Sequence, residues 1–387
     1  MFNIMNVNNN HMINYGKAFI RKYDTALFLS VCILIALGLV MVYSTSAMTS
    51  IIDYGNSYHF LIRQGIYVII SAIFMGFFMK NDYHILKSFY VILLAAIGIL
   101  MFLVFIPHIG LAAGGSRRWI NLRLLNLEPS EFLKVIFIIF LAVFLEKKKE
   151  LLNQNRYSLI FIAPMLVMGF FDVFLLKEPD FGTASVLFAI TLIMLFAGGV
   201  SLVYIVFILL FGSVAAYLLI FSVAYRRDRI LAFLHPFKDK TGIGFQIIQS
   251  MFAFARGGMF GVGLGNGKEK LFFLPTPYSD FIFSTVGEEL GFIGVLVFIA
   301  LYFILAYRGL KIALYAPDLF GTYLALGLTG LLVISAFINI GVVTDFLPTK
   351  GLALPFVSYG GSALLASAIA VGILLNISSQ SLRKKKD

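Results

Sequence analysis

From Phe181 to Ala224 the chain carries no charged side chain. As a single helix that stretch would run about 66 Å at ~1.5 Å per residue, more than twice the ~30 Å hydrocarbon core of a bilayer. It must therefore cross, turn and cross again, and Gly198-Gly199 is where the backbone has the freedom to turn. Lipid offers no partner to an open backbone N–H or C=O, so crossing segments are helices or closed barrels, and apolar runs of ~20 residues read as helices. The rest of the 387 residues agrees: 60% are hydrophobic, 13% are charged and 41 are Phe. That is the composition of a polytopic membrane protein, not of a water-soluble domain.

The expected fold is an all-α integral membrane protein of about ten transmembrane helices. The spans fall near 25–45, 61–79, 86–107, 131–146, 157–176, 182–199, 200–224, 281–306, 321–343 and 357–378, the fourth being short. A large extracytoplasmic loop, 225–280, separates helices 7 and 8. Residues 1–24 form an N-terminal cytoplasmic tail without a cleavage site, and 379–387 a basic cytoplasmic C-terminal tail. Within the loop, 243–256 reads as an amphipathic helix lying on the outer leaflet surface, followed by the Gly-rich turn 257–267.

Orientation follows the basic residues of short loops. Lys17, Arg21, Lys22, Lys80, Lys87, Lys147, Lys148, Lys149, Arg156, Arg308, Lys311 and Arg383 to Lys386 all fall on one side if both termini are cytoplasmic. Two segments oppose the rule. One is the loop 108–130, with Arg117, Arg118 and Arg123; the other is 225–280, with Arg226, Arg227, Arg229 and further Lys and Arg. Long segments translocate whatever their charge. The short 108–130 loop reads better as a surface that meets phosphate.

The acidic residues are few, 19 against 30 basic ones, and Asp280, Glu288 and Glu289 head the eighth span. At ~1.5 Å per residue the glutamates lie about 12 Å deeper than Asp280. Carboxylates in a membrane helix default to a functional hypothesis. Glu131 and Lys134, three apart, share a helix face; either they pair structurally or they line a charged cavity. Asp172 and Asp180 read as ion-pair or helix-end residues. The small residues from Ser358 to Ser362 suit close helix packing, with hydroxyls in reach of a sugar.

Several blocks now line up: GGSRRWINL and EPSEFLK (114–122, 128–134), EPDFGTA (178–184), YRRDRILAFLHPF and GFQIIQS (225–237, 244–250), GGMFGVGLGNGKEKLFFLP and YSDFIFSTVGEELGFIG (257–275, 278–294), and LPTKGLALPFVSYGGSAL (347–364). In kind and order they resemble the SEDS family (shape, elongation, division and sporulation) over about residues 20–378. The LPTKGL and GEELG wording looks nearer its FtsW/SpoVE branch than RodA. The resemblance implies an inverting peptidoglycan glycosyltransferase on the outer face of the bacterial cytoplasmic membrane. Its substrate would be lipid II, the undecaprenyl-pyrophosphoryl disaccharide-pentapeptide. Its partner would be a class B penicillin-binding protein, with other divisome or elongasome membrane proteins beside it.

Asp280 matches the family's essential aspartate, and one base suffices where pyrophosphate is already a good leaving group. A carboxylate at a low-dielectric boundary has its pKa raised, which suits a base. The competing reading is a helix cap. Where many members carry His-Thr before that aspartate, Tyr278-Ser279 stand here, so histidine is no required partner. Arg117 and Arg118 offer planar forks for phosphate, or simply snorkel beside Trp119. Lys350, in PTKG, matches a lysine of the FtsW branch and is assigned to the leaving group with them. Glu131, Lys134, Glu288, Glu289 and Ser358 complete the candidate substrate-binding set. Mg²⁺ or another divalent cation is admissible as a helper, although no dedicated carboxylate cage is visible.

Cys32 is the only cysteine, so intramolecular disulfides and thiolate metal sites are excluded. The five histidines are scattered without zinc spacing. GVGLGNG lies in no βαβ unit, which removes a nucleotide loop. Nucleic acid is not an expected partner, because the basic residues sit among spans. A lipid II transporter and a non-catalytic scaffold for the penicillin-binding protein remain the competing functions.

Overall fold

The computed structural model describes residues 22–113, 116–121, 126–153, 161–238, 242–268 and 278–384. The first 21 residues, Arg123, Arg156, Lys240, Lys270 and the last three residues, all used above for tails and charge, lie outside the described residues. Helices dominate: α1 (Thr25–Tyr54), α2 (His59–Lys80), α3 (His84–Leu103), α4 (Pro129–Asn153), α5 (Ile162–Lys177), α6 (Phe181–Gly198), α7 (Leu202–Phe221), α8 (Ala224–Leu234), α9 (Ile243–Gly257), α10 (Ile282–Leu314), α11 (Leu319–Val343) and α12 (Gly361–Lys384).

Among the described residues eight of these are long and apolar enough to cross a membrane. They are α1, α2, α3, α6, α7, α10, α11 and α12. The expected spans 131–146 and 157–176 correspond to α4 and α5. The second has only 16 residues, and the first ends in the charged run Glu146-Lys147-Lys148-Lys149-Glu150. The turn between α6 and α7 falls where the uncharged stretch required it. Gly199 adopts φ 98° and its N–H closes α6 onto Leu195 and Phe196 carbonyls, the left-handed cap that glycine takes most readily.

The core runs through α1, α4, α10, α11 and α12, with Leu27, Phe137, Phe283, Phe298 and Phe320 fully buried. Outer helices are barely covered. Only 11% of the spanning window of α3, and 11% of that of α7, is buried within the protein. In water that exposed apolar surface would be untenable; in a bilayer it is the lipid-facing wall. One end of the bundle is pinned by ion pairs, Arg308 to Asp24 at 2.5 Å and Lys87 to Glu146 at 2.7 Å.

Two features depart from the sequence-based expectation. The loop 108–130 contains an antiparallel sheet in the order β1 (Gly110–Ala113), β2 (Ser116–Asn121), β3 (Asn126–Leu127). Tyr67 from α2 and Ser362 from α12 hydrogen-bond to Asn126, which clamps the sheet to the bundle.

The second departure is α9, which does not lie free on a leaflet surface. It docks on α10 and α11, where the Ser250 hydroxyl donates to the Val343 carbonyl at 2.6 Å. Glycines permit the approach: a Cβ on Gly257 would lie 2.0 Å from the Gly287 carbonyl oxygen. The Gly-rich turn then packs against a kink in α10 at Gly291, whose φ is 69°. Gly257→Val is therefore expected to cost the upper end of about 1–3 kcal/mol of overpacking. A lowered thermal unfolding midpoint in detergent checks it.

The 33 residues of α10 would span about 50 Å, well beyond a ~30 Å core. Its two parts are surrounded differently. Phe283 to Glu289 are buried in protein, whereas Phe292, Ile293, Leu296 and Phe303 are exposed on the lipid-facing wall. Glu288 and Glu289 therefore do not face hydrocarbon.

Candidate active site: a carboxylate beside a cationic pocket

Asp280 sits in the turn before α10, and that turn is fastened from three directions. The Asn339 side chain donates to the Asp280 carbonyl at 2.9 Å and to Leu352 at 2.7 Å. The Ser358 hydroxyl donates to the Ser279 carbonyl at 2.7 Å and accepts the Leu354 N–H. Tyr359 N–H donates to the Tyr278 carbonyl. The carboxylate itself is not used as a helix cap: α10 begins at Ile282, its cap position is Phe281, and no side chain caps it. The bland reading of Asp280 loses its support.

Beside this turn opens a cavity of about 180 Å³ lined by Arg118, Arg226, Arg229, Lys350, Asp180 and, among others, Gly351. A Cβ on Gly351 would lie 2.9 Å from Asp280 Oδ2, so the carboxylate stands directly behind that wall. Burial pushes the Asp280 carboxyl up to about 6, against the pull of the Arg118 and Arg229 guanidinium groups. Burial also brings the Lys350 ammonium down to about 8. It donates to Ser185 Oγ at 2.9 Å and lies over the Phe181 ring.

The three arginines are held by backbone carbonyls. Arg118 donates to Glu178 and Pro179, Arg226 to Leu219 and Leu176, and Arg229 to Thr349. Such partners fix the guanidinium groups without cancelling their charge. Asp180, the one carboxylate in the lining, is engaged as the cap of α6, accepting the Thr183 N–H at 3.0 Å. Behind it Glu178 is fully buried and its carboxyl oxygens have no hydrogen-bond partner. Burial, then the neighbouring Asp180 and Glu128, push that carboxyl up to about 9, so it is neutral at pH 7. The pocket is therefore strongly electropositive, shaped for a polyanion.

The sequence-based candidates divide. Asp280, Arg118 and Lys350 converge. Arg117 does not reach the pocket, because neighbours on a strand point to opposite faces and it is exposed on β2. Ser358 is spent on two backbone groups and holds the turn. Lys134 pairs with Glu131 at 2.7 Å, both nearly buried; they line a separate cavity of about 20 Å³ with Ser335 and Ser367. Glu289 accepts from Ser44 and from the Gly265 N–H, while Glu288 accepts from the Lys268 N–H and Arg256. The two glutamates thus clamp the Gly-rich turn and do not enter the pocket.

Arg226 and Arg229 were not singled out in the sequence. Their three-residue spacing on a short helix, which puts both on one face, is the signal that marks them. Nothing local marks Asn339. Among the described residues no three Asp, Glu, His or Cys side chains converge as ligands.

Comparison with known proteins fits this architecture. Residues 24–383 match the cell cycle protein family of FtsW, RodA and SpoVE. A Geobacter metallireducens relative named probable peptidoglycan glycosyltransferase FtsW is 46% identical over 361 residues, 93% of this chain and 96% of its own. Stage V sporulation protein E of Bacillus subtilis is 40% identical over 358 residues, 92% of this chain and 97% of its own. A chain solved in work on the structural coordination of polymerization and crosslinking by a peptidoglycan synthase complex aligns with a TM-score of 0.74. It is 29% identical and covers 92% of this chain and 97% of its own. Rod shape determining protein RodA of Thermus thermophilus aligns at 0.67 with 25% identity, over 92% and 96%. By its sequence and its fold alike, the chain belongs to the FtsW/RodA/SpoVE family, on its FtsW side.

Proposed function

We propose that this chain is a peptidoglycan glycosyltransferase that polymerises lipid II into β-1,4 glycan strands and releases undecaprenyl diphosphate. The observation that carries the reading is the juxtaposition of one uncommitted-to-capping carboxylate, Asp280, with a pocket of four cations. Asp280 takes the proton of the acceptor GlcNAc 4-hydroxyl as that oxygen attacks C1 of the donor MurNAc. The bond from C1 to the pyrophosphate breaks on the opposite face, which inverts the anomeric centre. Arg118, Arg226, Arg229 and Lys350 receive the charge that develops on the leaving diphosphate, in a site already organised for it.

The pocket opens on the extracytoplasmic side of a bacterial cytoplasmic membrane, with both termini cytoplasmic. Lys80, Lys87, Lys147 and Arg308 at the far end support that orientation. α4 and α5 complete ten spans, being packed among the helices that qualify by length. The natural partner is a class B penicillin-binding protein, in keeping with the synthase complex to which one structural neighbour belongs. Pocket and carboxylate lie at one end of the bundle, where α6 begins and α7 ends, whereas transporters place their sites near the bilayer midplane. That favours chemistry over transport.

The test is purified protein with fluorescent lipid II, with and without the cognate transpeptidase. A ladder of glycan products is expected in at least one condition. Scrambling of lipid II in vesicles without a ladder would assign the chain to transport instead; neither activity would leave a scaffold.

A further inference from the structure

Around Tyr278, two residues before Asp280, rings from three distant segments converge. Tyr54 and His59 stack at 3.7 Å with 4° between their planes. Phe60 meets Tyr54 at 5.8 Å, Tyr278 at 4.6 Å and Tyr359 at 5.2 Å. Tyr278 and Tyr359 close the group at 5.7 Å. The Arg63 guanidinium lies beside Tyr359. None of these side chains lines the cationic pocket.

The group is rigid and partly open. The α1–α2 turn is held by Ser50 Oγ donating to Asn56 O at 2.5 Å and by the Tyr58 N–H donating to Asn56 Oδ1 at 2.9 Å. Gly55, at φ 68°, closes α1. Tyr54 is 53% exposed, whereas Phe60 is buried, so one face of the stack looks outward from a fixed base. Tyr278 is two residues from Asp280, and its carbonyl is bound to Tyr359 N–H. Aromatic belts at membrane interfaces set amphipathic rings at the headgroup level. Here the rings come from α1, α2 and the two loops that position the catalytic turn.

We infer that this platform is the acceptor-saccharide subsite. The inference rests on the glycosyltransferase reading above. Attack opposite the leaving diphosphate requires the acceptor to reach Asp280 from outside the cationic pocket, and the platform is joined to the Asp280 turn through Tyr278 and Tyr359 without lining that pocket. A flat ring presents an apolar face with polar edges, which suits the C–H face of a pyranose. Arg63, exposed at its rim, provides donors for an N-acetyl carbonyl or for the carboxylates of an acidic stem peptide. The ligand class is thus a disaccharide of N-acetylated amino sugars bearing an acidic peptide.

Two measurements test it. In the first, the double substitution Tyr54→Ala with His59→Ala is assayed for polymerisation over a lipid II concentration series. KM is expected to rise about tenfold with kcat within about twofold, and Tyr54→Phe to restore KM, because one lost stack is worth roughly a factor of ten. In the second, the lipid-free, pyrophosphate-free GlcNAc-MurNAc-pentapeptide is added to purified protein and read by saturation-transfer NMR. Transfer to the sugar protons is expected in wild type and in Arg229→Ala, and loss of transfer in the double variant. An unchanged KM, or transfer that is absent from wild type or equal in all three proteins, overturns the subsite. Absence of any polymer from wild type beside normal saccharide transfer would instead tell against the glycosyltransferase reading alone.

Discussion

Asp280→Asn will lower the rate of lipid II polymerisation by about 10²–10⁴-fold, the usual contribution of a positioned general base. Asn keeps the shape and cannot accept the proton. The fold will survive, because the turn is held by backbone groups of Ser279, Asp280 and Tyr278 and not by the carboxylate. The pH profile adds a second arm. Burial holds the Asp280 carboxyl up at about 6, and only the ionised form can take a proton. Wild-type rate should therefore fall as pH drops through about 6 and level off above it on the acid limb. Glycan ladders measured between about pH 5 and 8 read both effects. A variant that polymerises at wild-type rate would remove Asp280 from the chemistry. An acid limb displaced far from 6 would mean that another group controls it.

The second large effect belongs to Arg229. Arg229→Ala removes a guanidinium that faces both Asp280 and the pocket. Loss of one preorganised charge aimed at a developing anion costs about 10²–10³-fold in kcat. Arg229→Lys should recover only part of this, since an ammonium lacks the planar fork that grips Thr349 O and a phosphate together. Arg227, its exposed neighbour, is the control: Arg227→Ala should stay within about twofold, as surface charges contribute little. Equal losses in Arg227→Ala and Arg229→Ala would point to general attraction of an anionic lipid, not to a leaving-group site.

Much of this molecule is legible in its sequence. The uncharged stretch forces the turn at Gly198-Gly199, and Asp280 is marked by its block and its place before a long apolar helix. Arg118 and Lys350 are marked by charge on the unexpected side of the membrane and by resemblance. Other parts are written in no local pattern. The strands of the 108–130 loop are two to six residues long, too short for alternation to register, and β3 is held by contacts with α2 and α12. Arg229 acquires its role only when α8 folds back over the 348–351 loop. The part Glu288 and Glu289 play in holding the turn is not legible because two of their partners are the main-chain N–H groups of Gly265 and Lys268, and such donors have no letter in a sequence.

That arrangement of glutamates and glycines governs how the protein can be re-engineered. Residues 257–268 and 282–291 interlock through main-chain atoms on one side and carboxylates on the other. A chimera that swaps in a turn of different backbone path from a relative, while keeping the native rod, would take the Gly265 and Lys268 N–H donors away from the two acids. The two stretches should be transplanted together or not at all.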